Sequence, residues 1–95
     1  RRLAIFALDD PEPLLYHNEP IWRDGVLVGK ITSGWYGHTL GRAIGLGYVR
    51  DPDGGVVTPD FVAGATYELE VANERYQARV SLRPPYDPTS ERVKA

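Results

Sequence analysis

The chain has 95 residues, 42% of them hydrophobic and 25% charged, with a formal net charge of −2. A chain of this length fits one domain and can bury roughly two-thirds of its unfolded surface, so a packed core needs no covalent staples. The absence of cysteine excludes a disulfide framework, a thiolate metal site and a thiol nucleophile, and the near-neutral charge argues against broad nucleic-acid binding, which draws on a basic face.

The first apolar run, Leu3 to Leu8, ends at Asp9-Asp10-Pro11 and reads as a buried strand followed by a turn. Residues 11–20 carry Pro11, Pro13 and Pro20; each removes a backbone donor, so this stretch is expected to be mostly connection. The clearest hairpin follows, with Ile21-Trp22-Arg23 and Val26 to Thr32 flanking Asp24-Gly25. Asp-Gly suits the central positions of a type I′ turn, which both need φ > 0, and the flanks are rich in β-branched and aromatic residues. Between Ser33 and Gly47 lie Gly34, Gly37, Gly41, Gly45 and Gly47, a density that disfavours a helix. A loop is expected over 34–38, then a kinked or bulged strand to Val49, since such glycines let a strand turn a barrel corner.

Asp51 to Gly55 reads as a turn. Thr58-Pro59-Asp60 has the order of a helix start, with an N-cap hydroxyl, proline at the first position and an acid next, and Gly64 stops that helix within two turns. Tyr67, Leu69 and Val71 alternate with Glu68 and Glu70; after a turn at Asn73-Glu74, Tyr76, Ala78, Val80 and Leu82 alternate with Gln77, Arg79, Ser81 and Arg83. These are two half-buried antiparallel strands. Pro84-Pro85 is expected to end the sheet, leaving 86–95 as a polar surface tail. About six closely spaced strands and at most one short helix predict an all-β fold, a small antiparallel barrel.

The chain lacks methionine and starts directly in a strand pattern at Arg1-Arg2-Leu3, so we expect a piece of a longer protein. No apolar run nears the ~20 residues that span a membrane, and no signal-peptide pattern stands at the start. No membrane partner is expected, and the expected compartment is the cytoplasm.

Most catalytic motifs fail on spacing or context. Gly25 to Gly29-Lys30 holds three residues between its glycines and has Ile31 after the lysine; a phosphate loop needs four residues there, a following Ser or Thr, and a helix to open. Gly45-Leu46-Gly47 lacks the third glycine and the helix of a dinucleotide fingerprint. His17 and His38 have no second ligand at metal spacing, so no metal is expected. Ser33 has no convincing His/Asp pair. His38 could act as an acid or base, but with no charged partner in sequence it reads better as a hydrogen bond to a neighbouring strand. Asp24 and Asp53 are explained by turns and Glu68 and Glu70 by a solvent face, while Glu19 is the least explained carboxylate. Trp22, Trp35, Tyr36, Tyr48, Tyr67 and Tyr76 are read mainly as core. Trp35-Tyr36 is the exception, being placed to meet a partner surface.

Three segments carry a resemblance: Glu19 to Gly25; Gly29-Lys30-Ile31-Thr32-Ser33-Gly34; and Thr39-Leu40-Gly41 through Gly47-Tyr48-Val49. In that order they resemble the C-terminal barrel of the glycine cleavage T-protein (aminomethyltransferase) family. Tyr76 to Val80 followed by Pro84-Pro85-Tyr86-Asp87-Pro88 resembles the ending of the branch fused behind sarcosine or dimethylglycine dehydrogenases. Tyr36-Gly37-His38 stands where T-proteins proper carry Ser-Pro before Thr-Leu, which favours the fused branch.

The resemblance implies a module that transfers a one-carbon unit to tetrahydrofolate, with FAD in a separate domain in the fused branch. It implies that residues 1–95 form the last subdomain of the module. The partners would then be the preceding folate-binding subdomains of the same chain and the folate itself, and the catalytic aspartate would lie in those earlier subdomains. No catalytic residue is therefore assigned here. The barrel would be one wall of the folate channel, reached by Ser33, Trp35, Tyr36, His38 and Thr39, with Trp35 and Tyr36 as packing groups and His38 as a polar contact. The competing reading is an autonomous small-barrel module gripping a peptide or glycan through Trp35-Tyr36.

Overall fold

Asp24 and Gly25 both take positive φ, 49° and 83°, the geometry of a type I′ turn, and they join strand β2 (Pro20–Arg23) to strand β3 (Val26–Gly37). The turn is tied to the neighbouring strand that begins at Tyr67, because Asp24 N–H donates to Thr66 O at 2.8 Å and Thr66 N–H donates to Asp24 Oδ1 at 2.9 Å. The computed structural model describes residues 1–82. The remaining elements are β1 (Arg2–Leu8), β4 (Arg42–Val49), a short helix α1 (Pro59–Ala63), β5 (Tyr67–Val71) and β6 (Glu74–Ser81). All ladders are antiparallel, and the strands close in the order β1-β4-β3-β2-β5-β6. Closure comes from β1 meeting β6, from Ile5↔Ser81 to Leu8↔Ala78, and it removes the exposed strand edges that would otherwise template aggregation. The expected all-β barrel is the observed one. The predicted end of the sheet at Pro84-Pro85 and the tail at 86–95 lie outside the described residues.

The main departure from the sequence reading is at residues 34–38. Residues 34–37 form no loop: β3 runs through them to Gly37, and the turn lies at 38–41, closed by Gly41 N–H donating to Gly37 O at 2.7 Å. A strand this long stays in a small barrel because it is bulged twice. Its register shifts once against β2, between Ile21 and Trp22, and once against β4, between Ile31 and Ser33. Each bulge adds twist and shifts the inward–outward alternation of the following side chains by one residue. Gly34 is needed for a steric reason: a Cβ there would run into the Leu15 carbonyl. The connection between β1 and β2 thus drops Leu15, 3% exposed, onto the glycine pair Gly34↔Gly45, where side chains would block it.

Helix α1 forms as its residues dictate. The Thr58 hydroxyl accepts from Phe61 N–H at 3.0 Å, Pro59 opens the first turn, and Gly64 caps the end. Val57 and Val62 are buried there, held by Arg2 Nε donating to Val57 O and by Arg23 donating twice to Phe61 O. The core is apolar among the described residues; Phe6, Leu8, Ile21, Ile31, Tyr67 and Leu69 fill it, with Phe6 and Tyr67 edge to face at 5.3 Å.

Candidate functional site

The residues singled out from sequence sit on the far half of β3 and its turn into β4. Ser33 pairs with Leu46, Trp35 with Ile44 and Tyr36 with Ala43. Trp35 and Tyr36 remain 45% and 37% exposed, so both offer apolar surface to a partner. The His38 ring meets the Tyr36 ring edge to face at 5.2 Å, which corrects the expectation of a hydrogen bond from His38 to a neighbouring strand. Thr39 lies in the turn itself. The structure therefore brings Tyr36 and His38 together, places Trp35 on the outer side of the hairpin, and leaves Ser33 at the bulge. Trp35 and Tyr36, as neighbours along a strand, face opposite sides of the β3–β4 hairpin end.

A concavity of about 480 Å³ lies elsewhere, on the outer side of β3 and β4, and contains none of them. Arg1, Leu27, Lys30, Thr32, Tyr48 and Arg50 line it. The Arg1 guanidinium lies 4.1 Å over the Tyr48 ring, and Thr32 Oγ1 donates to Leu46 O at 3.1 Å. The sequence reading missed this group. The signal that could have found it is the pairing Lys30↔Tyr48↔Leu3, which puts the three in one outward row.

The other aromatics divide differently from expectation. Tyr67 is core, but Tyr48 is 38% exposed. Trp22 sits at the rim, where Nε1 donates to Glu70 Oε1 at 3.0 Å and the Arg75 guanidinium covers the ring at 3.8 Å. A strand's outer face carries these rings because neighbouring cations cover them. Burial raises the Tyr67 pKa above the usual tyrosine value, and a smaller pull from the nearby Arg23 side chain opposes it; among the described residues no donor or acceptor stands in hydrogen-bond geometry to the hydroxyl. Glu19, unexplained by sequence, is a local clamp, since its Oε2 accepts from Tyr16 N–H at 2.8 Å.

Among the described residues, no group of three His, Cys, Asp or Glu side chains is placed to hold a metal, and no helix is long and apolar enough to cross a membrane. The fold and this surface define a small closed β-barrel that exposes Trp35 and Tyr36 at one hairpin end and carries a separate cation-lined groove. The chain belongs to the glycine cleavage T-protein C-terminal barrel domain family, whose model matches residues 1–87. It is 40% identical over 94 residues to the mitochondrial sarcosine dehydrogenase of Mus musculus, covering 99% of this chain and 10% of that protein. It is likewise 40% identical over 93 residues to a formaldehyde-forming 4-methylaminobutanoate oxidase of Paenarthrobacter nicotinovorans, covering 98% of this chain and 10% of that protein. An aminomethyltransferase of Rippkaea orientalis is 37% identical over 70 residues, covering 74% of this chain and 17% of that protein. The chain thus spans about a tenth of the length of the first two.

Proposed function

We propose that residues 1–95 are the C-terminal barrel of a tetrahydrofolate-dependent aminomethyltransferase-type enzyme, of the branch joined to a sarcosine- or dimethylglycine-type flavin dehydrogenase. In this reading the barrel is a wall of the folate channel and has no turnover alone. The observation that carries it is the 40% identity to a sarcosine dehydrogenase and a 4-methylaminobutanoate oxidase along almost the whole chain, where two aminomethyltransferases match, one at 37% identity over 74% of it and one at 28% identity over 90% of it. The cytoplasmic compartment is part of the same proposal.

The residues present suit a wall and not a complete pocket. Trp35 and Tyr36 offer part-exposed ring surface, against which a flat heterocycle packs well. His38, held edge-on to Tyr36, brings imidazole nitrogens to the Tyr36 side of this hairpin end as polar contacts. Ser33 and Thr39 add hydroxyls before and after these residues in the chain. When bound, tetrahydrofolate supplies the acceptor nitrogen for the one-carbon unit. The barrel's contribution is to exclude water along one side, so that a formaldehyde-level intermediate meets folate before hydrolysis. FAD has no place here, for the chain offers no dinucleotide-binding turn; it belongs to a separate domain of the longer polypeptide.

The test is steady-state kinetics on that longer polypeptide with Trp35→Ala and His38→Ala. The KM for tetrahydrofolate is expected to rise roughly tenfold, equivalent to about 1.4 kcal/mol of lost binding, with amine oxidation unchanged. An unaltered KM in both variants would remove the wall assignment.

A further inference from the structure

On β5 and β6 apolar side chains point inward and polar ones outward, as a sheet with one wet face requires. β1 and β4 break that rule. Ala4, Phe6, Leu8, Ala43 and Val49 face the core, but the intervening positions are also apolar: Leu3, Ile5 and Ala7 pair across the ladder with Tyr48, Leu46 and Ile44. Strands apolar on both sides are the signature of strands covered on both sides, yet Leu3 is 43% and Tyr48 38% exposed.

The cations beside this face stand out for what they lack. Arg2 and Arg23 meet carbonyls, and Arg42, Arg75 and Arg79 meet carboxylates. Among the described residues Arg1 meets only the Tyr48 ring, and the Lys30 and Arg50 side chains have no hydrogen-bond or ion-pair partner. All three line the same groove next to Tyr48, and among the described residues no carboxylate lines it with them.

We infer that this outer face of β1, β4 and β3 seats another domain of the same polypeptide, one that lays an apolar patch over Leu3, Ile5, Leu46 and Tyr48 and brings carboxylates to Arg1, Lys30 and Arg50. An apolar centre with a charged rim is the ordinary anatomy of such contacts. The inference rests on the family reading above, in which this barrel is 10% of a protein like the sarcosine dehydrogenase, so most of the chain lies outside it. A second copy is a poor occupant: an isologous contact through this face would bring the Arg1, Lys30 and Arg50 groups of both copies together, like charge against like.

The absence of cysteine in this segment makes the face measurable. Leu3→Cys, Tyr48→Cys and, on the charged side, Gln77→Cys are introduced one at a time into the full-length polypeptide. Maleimide labelling is then read peptide by peptide against the rate in denaturant. Cysteines at 3 and 48 are expected to label roughly tenfold more slowly than at 77, as befits an interface core sealed from water. Adding Lys30→Glu with Arg50→Glu is expected to bring the rates together.

Equal rates at 3 and 77 in the native polypeptide overturn the proposal. So does protection at 77 alone, protection that charge reversal leaves intact, or protection that fades on dilution and therefore belongs to a second copy. Tetrahydrofolate-dependent transfer assayed on the same samples separates this from the function above. Transfer without protection rejects the surface and keeps the folate reading. Protection without transfer does the reverse.

Discussion

Around β5 and β6 the outside of the barrel is a mesh of charge. Arg75 lies 3.9 Å from Glu68 and 4.0 Å from Glu70, Arg79 lies 3.3 Å from Asp9, and Arg75 also covers Trp22. Around β1 and β4 the outside is Leu3, Ile5, Leu46 and Tyr48, flanked by cations that find no acid among the described residues. Both pairs share the same inward alternation and the same antiparallel ladder geometry. What differs is what each was built to face. The charged wall completes its own interactions and needs only water, whereas the apolar wall is satisfied within the barrel on one side and left open on the other.

The largest effects are expected where the apolar half closes on itself. Leu15→Ala opens a void between Gly34 and Gly45 and should cost about 3 kcal/mol. Gly34→Ala drives a Cβ into the Leu15 carbonyl, which backbone cannot evade cheaply, and should cost a similar amount, about 2–3 kcal/mol. Urea midpoints of both variants check this. A loss under about 0.5 kcal/mol for Gly34→Ala would mean that the β1–β2 connection does not rest on β3.

The charged half shows how far pattern alone reaches. The alternation from Tyr67 to Ser81 gave both strands and their inner faces, because one wet and one dry side leave a period of two in the sequence. Asp24-Gly25 gave its turn because both positions need positive φ. The Thr58-Pro59 start and Gly64 stop gave the helix. Residues 34–37 were misread because glycine marks both loops and strands in close approach, and the Leu15 backbone that explains Gly34 is nineteen positions away in sequence. Tyr48 reads as core from sequence, and its grouping with Lys30 and Arg50 is not legible there for a related reason: they meet only through strand register. Trp35, Tyr36 and His38 were legible as unusual types among glycines, but their placement on a strand end was not.

Tyr67 marks where the two halves meet, with its ring against Phe6 and its hydroxyl buried without a hydrogen bond among the described residues. Tyr67→Phe is expected to be neutral or stabilising by up to about 1 kcal/mol, since it removes an unsatisfied polar group and keeps the ring. The raised pKa gives a second readout. The folded state holds the phenol proton above the pH at which the unfolded chain releases it, so this contribution is intact below the ordinary tyrosine pKa of about 10 and is lost as pH rises through the folded value. The wild-type chain should therefore lose stability above about pH 10 more steeply than the Phe variant. Identical alkaline slopes in thermal melts would contradict the burial argument.

Arg75→Ala tests the charged wall directly. Its carboxylate contacts are long and solvent-exposed, so the ion pairs are worth little, and the stacking on Trp22 should dominate a total loss of about 0.5–1 kcal/mol. Raising salt to about 1 M, where charges are screened beyond roughly 3 Å, should leave most of that loss in place. A loss that vanishes in high salt would mean that charge, and not the covered ring, is what Arg75 supplies.

The smallest effect is the one that separates the two walls most sharply. Leu3→Thr keeps a strand-favouring residue and changes only the outer side of β1. In the 95-residue chain it should shift stability by no more than about 0.5 kcal/mol, because a leucine that stays 43% exposed gains little from the barrel itself. The charged wall, already complete, responds to Arg75→Ala whether or not the rest of the polypeptide is present. The apolar wall should respond to Leu3→Thr only when something lies against it, so comparing midpoints in the short and full-length chains turns a near-zero number into a discriminating one. A cost above about 2 kcal/mol in the short chain, the scale of burying a whole leucine side chain, would show instead that Leu3 belongs to the barrel's own core.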